Sequence, residues 1–180
     1  MSKGKRIERH KAIAVAAALR ERLGSSSTKI ITGGSIRRGR ATVGDIDLVA
    51  VCNTRRAEAI LNDTLGGLFG YCKKKPDRAK RFGVFKTTSI NVFDCTPAQA
   101  GAALLFCTGS GVFNIKMRSI AKRRGLLLSR YGLFNRDDRL ADGTRMWEYV
   151  CDCRQEKTIF SELKIPFLQP SERTEEALSW

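Results

Sequence analysis

Apolar and polar residues follow two different periods along this chain, and the periods separate helices from strands. Residues 6–23 repeat apolar positions at helical spacing, and Gly24 is a natural end for that helix. Short apolar runs bounded by glycine, serine or threonine predict strands. These runs are STKIITGG at 27–34, DIDLVAV at 45–51, FGVFKTTSINVFDC at 82–95 (two strands) and LLLSRYGLF at 126–134.

Further helices are predicted between and after these strands. We expect Gly66 and Gly67 to end a helix at 55–65, and Thr96 and Pro97 to begin the next one. That helix is predicted to end at about Phe106. A second helix is predicted from the TGS break to Gly125, and a third near 156–163. Helices and strands therefore mix throughout, which predicts an α+β protein with two parts, residues 1–106 and residues 107–180.

The charge balance indicates the kind of partner. Lysine and arginine total 33 against 18 acidic residues, which gives a net charge of +15. A small protein this basic attracts a polyanion, and nucleic acid is the usual one. No apolar run approaches the roughly 20 residues needed to cross a bilayer, and no apolar signal core follows the N-terminus. We therefore expect an intracellular, cytoplasmic protein that does not enter a membrane.

The cysteines do not form a recognisable metal-binding pattern. Six cysteines and one histidine are present, and the only close pair is Cys151 with Cys153. A zinc site uses C-x-x-C pairs or added histidines at set spacings. The sequence favours reduced thiols in a reducing compartment.

Two aspartates interrupt an apolar strand at Asp45 and Asp47. Alternate residues of a strand point to the same face, so the two carboxylates share one face. Like charges at that spacing repel, and burial would raise their pKa values. A divalent cation removes the conflict, and Mg²⁺ favours carboxylates together with phosphate oxygens.

The residues just before this strand supply groups that suit phosphate. Gly33 and Gly34 let a ligand approach the backbone, and Ser35 offers a hydroxyl and an N–H. Arg37 and Arg38 offer guanidinium groups that match phosphate oxygens. The pattern indicates a nucleoside triphosphate held between donors and a metal. The D-x-D pattern alone is equally consistent with a polar edge strand.

A second stretch, residues 106–125, places polar groups on one helical face. Asn114, Arg118 and Lys122 recur every four residues and therefore share that face. Such a helix can reach base edges and sugars in a minor groove. Alone, the same pattern is also that of an ordinary basic amphipathic helix, whose apolar face consists of Phe113, Met117 and Ile120.

At these residues the chain resembles family X of the DNA polymerases, the group that contains DNA polymerase beta. GGSIRRGRATVGDIDLVAV at 33–51 is similar to the family's G-S-x-x-R-R-G and G-D-x-D patterns. The TGS and FNIKMR of residues 106–125 and the C-terminal residues 139–173 are similar to later family segments. The resemblance covers about residues 12–173.

The resemblance implies an architecture and an activity. Residues 1–106 would be the palm, a nucleotidyltransferase subdomain with a mixed sheet and flanking helices. Residues 107–180 would be a small α/β subdomain that binds the nascent base pair. The implied activity is template-directed addition of deoxynucleotides to a DNA 3′-hydroxyl, with gap filling in DNA repair as its setting. The chain resembles a minimal form without the lyase domain, of the kind known in some viruses.

The resemblance also implies roles for individual residues. Asp45, Asp47 and the residue at position 91 would surround two Mg²⁺ ions, with Mn²⁺ able to substitute, and the two aspartates would be the metal ligands. The nucleotide-binding residues would be Gly34, Ser35, Arg38, Gly44, Phe106, Cys107, Thr108, Gly109 and Asn114. The DNA-binding residues would be Arg118, Lys122, Arg123, Arg124, Lys73, Lys74 and Lys75. Its partners would be gapped or primer–template DNA and deoxynucleoside triphosphates, and we expect a monomer.

The sequence departs from the family pattern at position 91. The family has a third aspartate there, and this chain has Asn91, with Asp94 three residues further on. Three explanations remain open: an engineered substitution that blocks catalysis, replacement by Asp94 through a local bulge, or a natural protein that tolerates the amide or has lost activity. A catalytically silent DNA-end-binding module and a template-independent nucleotidyltransferase therefore remain alternative functions.

Overall fold

The structure, a computed structural model, describes residues 6–69, 80–85, 88–137, 139, 141–144 and 146–178. Its contacts divide the chain into two units, residues 1–97 and residues 98–180. The division lies earlier than the boundary predicted between residues 106 and 107. The reason is that the N–H groups of Gly101 and Ala102 both donate to the carbonyl of Cys153, at 2.8 and 3.3 Å, which ties the helix before residue 107 to the second unit.

The first unit is built around a mixed four-stranded sheet. Its elements are β1 (Ile7–Glu8), α1 (Arg9–Leu23), β2 (Thr28–Thr32), α2 (Gly34–Arg37), β3 (Thr42–Val43), β4 (Asp45–Cys52), α3 (Arg55–Phe69), β5 (Lys80–Phe85) and β6 (Thr88–Cys95). The strand order is β2-β4-β6-β5. The central strands β4 and β6 are parallel, and the outer strands pair antiparallel to them. This arrangement confirms the predicted α+β class.

Strand β4 separates the core from the polar site by simple alternation. Ile46 and Leu48 are fully buried and pack in one cluster with Ala12, Ala16 and other apolar residues of α1. Asp45 and Asp47 point to the opposite face because side chains alternate along a strand. The buried face therefore fixes the register, since a slip of one residue would move both carboxylates into the core.

Two helix boundaries differ from the predicted ones. Helix α3 does not end at Gly66 and Gly67 but continues to Phe69. Glycine costs only about 1 kcal/mol within a helix, so the surrounding fold can override it. Pro97 does not begin an α-helix either: Pro97–Gln99 form a 3-10 turn, and the α-helix starts at Ala100. In the described part of the chain, no helix has the length and apolarity that crossing a membrane requires.

The second unit combines helices with a hairpin. Its elements are α4 (Ala100–Thr108), α5 (Gly111–Arg123), β7 (Leu126–Ser129), β8 (Gly132–Asn135) and α6 (Glu156–Glu162). The side chain of Ser110 caps α5 by accepting a hydrogen bond from the N–H of Phe113 at 3.3 Å. Phe113 and Met117 are fully buried and pack with Ile159 and Phe160 of α6.

A fully buried arginine holds the C-terminal segment against this core. The guanidinium of Arg173 donates to Glu156 Oε1 at 2.7 Å and to the carbonyl of Leu168 at 3.1 and 3.2 Å. Three phenylalanine ring centroids lie 5.4–5.8 Å from it, those of Phe113, Phe160 and Phe167. Pairing and hydrogen bonds satisfy the buried charge, so removing one partner leaves the other uncompensated.

We predict that Arg173→Ala lowers the free energy of unfolding by about 3–5 kcal/mol, because Glu156 would be left buried without its counter-charge. Urea unfolding measures this change. The control is Arg154→Ala, since the surface pair of Arg154 Nε with Asp152, at 3.9 Å, should contribute less than about 0.5 kcal/mol. Equal effects of the two substitutions would contradict the assignment.

Candidate active site

The parallel pairing of β4 and β6 brings three polar side chains together. In the register of these strands, Asp45 lies opposite Ser89 and Asp47 lies opposite Asn91. The Asn91 side-chain amide donates to Asp47 Oδ1 at 2.9 Å and to Asp45 Oδ2 at 3.4 Å. The predicted trio of Asp45, Asp47 and position 91 is therefore one cluster, and the amide bridges the two carboxylates.

Asp94 does not belong to this cluster. Strand β6 pairs with β4 without a register shift from Ser89 to Cys95, and Asp94 lies opposite Ala50. The bulge that would have brought Asp94 beside the aspartates is absent from this pairing, so that explanation of position 91 is wrong. The register shift in the sheet lies on the other side of β6, between Phe82 and Val84 of β5.

The charged form of Asp47 is disfavoured in this cluster. Burial and, second, the negative charge of Asp45 raise the pKa of Asp47 to about 7. The hydrogen bond from Asn91 and the guanidinium of Arg38 lower the pKa, but they do not cancel the rise. At neutral pH this carboxyl therefore lies between its two protonation states, and a nearby cation would favour the charged form.

The turn after β2 lies directly against Asp47. The N–H of Gly33 donates to the backbone carbonyl of Asp47 at 2.8 Å. Gly34 has a φ of +56°, and a Cβ at this position would lie 2.2 Å from Asp47 Oδ2. Only glycine fits there, for both steric and conformational reasons. The backbone at Gly34 therefore lies directly against the Asp47 carboxylate.

Ser35 and Arg38 supply donors beside the carboxylates. Ser35 is buried, and its Oγ has no hydrogen-bond partner among the residues that the structure describes. A buried hydroxyl without a partner is costly unless a ligand or water satisfies it. Arg38 is close enough to lower the pKa of Asp47. Together with Gly34, these residues fit an anionic ligand that carries oxygen atoms.

Arg6 is a member of this region that sequence reasoning missed. Its Nε donates to Thr42 Oγ1 at 2.8 Å, and a second guanidinium nitrogen donates to the Thr42 carbonyl. Another nitrogen lies 3.4 Å from where a Cβ on Gly44 would stand. In the sequence, Arg6 is only one of several basic residues near the N-terminus. Its proximity to Gly44 depends on the pairing of β1 with β3, which no local pattern predicts.

The predicted nucleotide-binding residues of the second unit cluster around the start of α5. The Asn114 amide donates to the backbone carbonyl of Phe106 at 2.7 Å, which joins α5 to α4. Phe106, Asn114 and Arg118 also line one small cleft. Phe106 is half-buried, whereas Cys107, Thr108 and Gly109 are buried. Their contact with a nucleotide remains a prediction.

The predicted DNA-binding residues on α5 are solvent-exposed. They are Arg118, Lys122, Arg123 and Arg124 at the C-terminal end of the helix. Met117, Ile120 and Ala121 form the buried side, so α5 has the predicted apolar face. Lys73, Lys74 and Lys75 lie outside the described residues.

Within the described residues, no group of three or more histidine, cysteine, aspartate or glutamate side chains forms a metal cluster. The site contains two carboxylates and one amide. Two carboxylates with space for ligand oxygens are sufficient for Mg²⁺, which usually keeps water or phosphate in its remaining positions. The raised pKa of Asp47, the partnerless Ser35 hydroxyl and the Gly34 cradle all fit a cation with a bound phosphate chain.

Comparison with protein families and curated proteins gives consistent matches. The family model described as DNA polymerase beta thumb matches residues 103–174. DNA polymerase lambda of Rattus norvegicus is 28% identical over 158 residues, which cover 78% of this chain and 28% of that protein. DNA polymerase lambda of Arabidopsis thaliana is 28% identical over 177 residues, which cover 80% of this chain and 31% of that protein. The chain thus spans less than a third of the length of these relatives.

Solved structures share the fold. The ternary P/T complex of Leishmania infantum polymerase beta matches with a TM-score of 0.76 and 21% identity, covering 94% of this chain and 77% of that chain. The ternary gap complex of Leishmania infantum polymerase beta matches with a TM-score of 0.76 and 19% identity, covering 94% and 71%. The α+β class inferred from the sequence is therefore confirmed as a polymerase beta-like fold.

We predict that Asp47→Asn stabilises the metal-free protein at pH 8 by about 1–3 kcal/mol, because the substitution removes a charge that the folded state disfavours. With the folded-state pKa raised from 3.8 to about 7, the stability of the unsubstituted protein falls as pH rises through this range. The gain should therefore shrink as pH falls from 8 towards 4. Urea unfolding in EDTA at several pH values measures this difference in the free energy of unfolding.

Asp142→Asn is the matched control for this measurement. Hydrogen bonding from Thr144 lowers the pKa of Asp142, so its substitution should have the opposite sign and give no stability gain at pH 8. A gain for Asp47→Asn that does not change with pH would contradict the electrostatic explanation.

Proposed function

We propose that this chain is a member of family X of the DNA polymerases and that it transfers nucleotidyl groups from deoxynucleoside triphosphates to a DNA 3′-hydroxyl under the direction of a template. Filling of short gaps during DNA repair is the proposed setting. The observation that carries the proposal is the Asp45–Asp47 pair, which faces the Gly34–Arg38 turn within one unit. We further propose that it acts inside the cell as a monomer.

Similar proteins support the choice of substrate. The curated relatives are named DNA polymerase lambda, and the solved structures of similar fold are ternary P/T and gap complexes of polymerase beta. A net charge of +15 gives this chain the electrostatic character that DNA binding requires. Gapped or primer–template DNA is the proposed partner.

Asp45 and Asp47 are the proposed metal ligands. Family X polymerases generally use divalent metals. For this chain we propose two Mg²⁺ ions, with Mn²⁺ able to substitute. When bound, the ions would lower the pKa of the attacking hydroxyl and neutralise charge on the leaving oxygens. The chain's own contribution is to hold two carboxylates on one strand face, as the packing of β4 dictates.

Ser35, Arg38 and Gly44 are the proposed triphosphate-binding residues. The buried Ser35 hydroxyl can donate to a phosphate oxygen, which would satisfy its hydrogen-bonding capacity. The Arg38 guanidinium can stabilise the charge that grows on pyrophosphate as it leaves. Gly34 keeps this turn close to Asp47, so donors and metal ligands act on the same phosphate chain.

The second unit is the proposed reader of the base pair. Asn114 and Arg118 share one face of α5, and Asn114 is held by its hydrogen bond to Phe106. We propose that Asn114 contacts the incoming base and that Arg118 contacts the template strand. Phe106, Cys107, Thr108 and Gly109 would form the wall beside the nucleotide sugar. These roles favour a templated polymerase over a template-independent enzyme.

Asn91 favours one alternative function. An amide cannot accept the proton of the 3′-hydroxyl, and it binds a cation more weakly than a carboxylate does. Its donated hydrogen bonds to both aspartates partly neutralise the site without a metal. A chain of this kind that binds DNA ends but adds nucleotides slowly or not at all is the second candidate function.

We predict that the protein with Mg²⁺ extends a primer on a gapped duplex and extends an unpaired primer much less, because α5 is proposed to contact the template strand. Asp47→Ala should lower incorporation by about a hundredfold or more while changing DNA affinity less than twofold. Gel-based extension and fluorescence anisotropy provide the two measurements. Retained turnover in Asp47→Ala would refute the site, and DNA binding without any extension would favour the second candidate function.

We predict that Asn91→Asp increases the incorporation rate by about a hundredfold, because a carboxylate restores a proton acceptor and a metal ligand. The same substitution should lower the Tm of the protein in EDTA, since a third negative charge replaces the bridging amide, and Mg²⁺ should restore it. Asp94→Asn, on the same strand but opposite Ala50, is the control and should leave the incorporation rate unchanged. No gain in rate would show that the amide does not limit catalysis.

A further inference from the structure

A basic groove lies at the C-terminal end of α5. Its lining includes Arg123, the last residue of α5, Arg124, which follows α5, and Lys164, which follows α6. The groove encloses about 400 Å³, its remaining lining is Ile120, Ile165 and Pro166, and no acidic residue lines it. Three exposed cations and three apolar residues therefore share one groove, which is a complementary surface for an anion.

Part of the apolar lining of this groove belongs to the core of the second unit. Ile120 and Ile165 belong to the buried cluster of the second unit, which also contains Phe160 and Leu163. The cationic groups therefore project from two elements whose roots are fixed by packing.

The backbone at Lys164 has an unusual conformation for a lysine. Lys164 has a φ of +49°, and it is the only non-glycine residue with a positive φ in the described part of the chain. Its N–H donates to the Ser161 carbonyl at 2.8 Å, and the N–H of Ile165 donates to the Phe160 carbonyl at 3.1 Å. These two bonds form the Schellman ending of a helix, whose left-handed position normally contains glycine.

A lysine at this position therefore carries a conformational cost that glycine would avoid. Cations do stabilise the C-terminal end of a helix, but an exposed lysine in the last turn of α6 would serve that purpose with ordinary helical φ. A residue kept in a disfavoured conformation indicates a role for its side chain. In this fold the role that the surroundings offer is to line the basic groove together with Arg123 and Arg124.

We propose that this groove binds a backbone phosphate of DNA, and that Lys164 is the residue that completes it. The inference rests on the proposed function, because it takes DNA as the partner of the chain. It extends the exposed basic surface of α5, formed by Arg118 and Lys122, to a residue that follows a different helix, α6. Phosphate contacts of this kind position the duplex and do not read its sequence.

The experiment compares Lys164→Gly, Lys164→Arg and the unsubstituted protein by fluorescence anisotropy with a labelled gapped duplex over a series of NaCl concentrations. Lys164→Gly should leave the Tm unchanged or raise it slightly, because glycine accepts the left-handed conformation. It should nevertheless weaken DNA binding severalfold and make the slope of log K against log salt shallower by about 0.9. Lys164→Arg should retain the slope, because a guanidinium also contacts phosphate.

Lys157→Ala is the matched control. It removes one exposed positive charge from α6, at a residue whose amine lies 5.5 Å from the Phe167 ring centroid and not in the groove. Its slope should stay within experimental error of the unsubstituted protein. An equal loss of slope for Lys157→Ala and Lys164→Gly would overturn the proposal, because only net charge would then matter. An unchanged slope for Lys164→Gly would overturn it as well.

Primer extension by the unsubstituted protein separates this inference from the proposed function. Extension together with an unchanged Lys164→Gly slope would leave the polymerase function intact and reject the groove. DNA binding with a Lys164-dependent slope but no extension would retain the groove and reject the enzymatic function. Absence of DNA binding by the unsubstituted protein would reject both.

Discussion

Repulsion between two carboxylates on one face of β4 is the constraint on which the site depends. The fully buried Ile46 and Leu48 fix the register of the strand, and that register forces Asp45 and Asp47 to the same side. Burial and proximity raise the pKa of Asp47 to about 7, so the folded protein keeps an unfavourable charge arrangement. Natural proteins retain such conflicts mainly at functional sites, where a ligand resolves them.

Gly34 and Asn91 contact the two aspartates in different ways. Gly34 comes so close to Asp47 that no Cβ would fit, which places the turn at residues 34–38 against this carboxylate. Asn91 donates to both aspartates and so reduces the repulsion from within the protein. A third carboxylate there would increase the repulsion and the demand for a cation. Position 91 therefore affects how stable the two aspartates are without a bound cation.

Local patterns predicted much of the fold and of the site, because alternation and helical spacing depend on neighbouring residues. The strand at Asp45 and Asp47, the turn at Gly34 and the amphipathic α5 follow from such patterns. Features that depend on distant pairing could not be predicted. The approach of Arg6 to Gly44 needs β1 to pair with β3, and the buried Arg173–Glu156 pair forms only when the C-terminal segment packs.

The most direct test of the central claim is a crystal structure with Mn²⁺ and a non-hydrolysable deoxynucleoside triphosphate. Anomalous scattering locates the metal independently of the model of the protein. The account predicts a Mn²⁺ peak bound by both Asp45 and Asp47, with the triphosphate against Ser35 and Arg38. Clear nucleotide density elsewhere, or a metal peak that neither aspartate contacts, would contradict it.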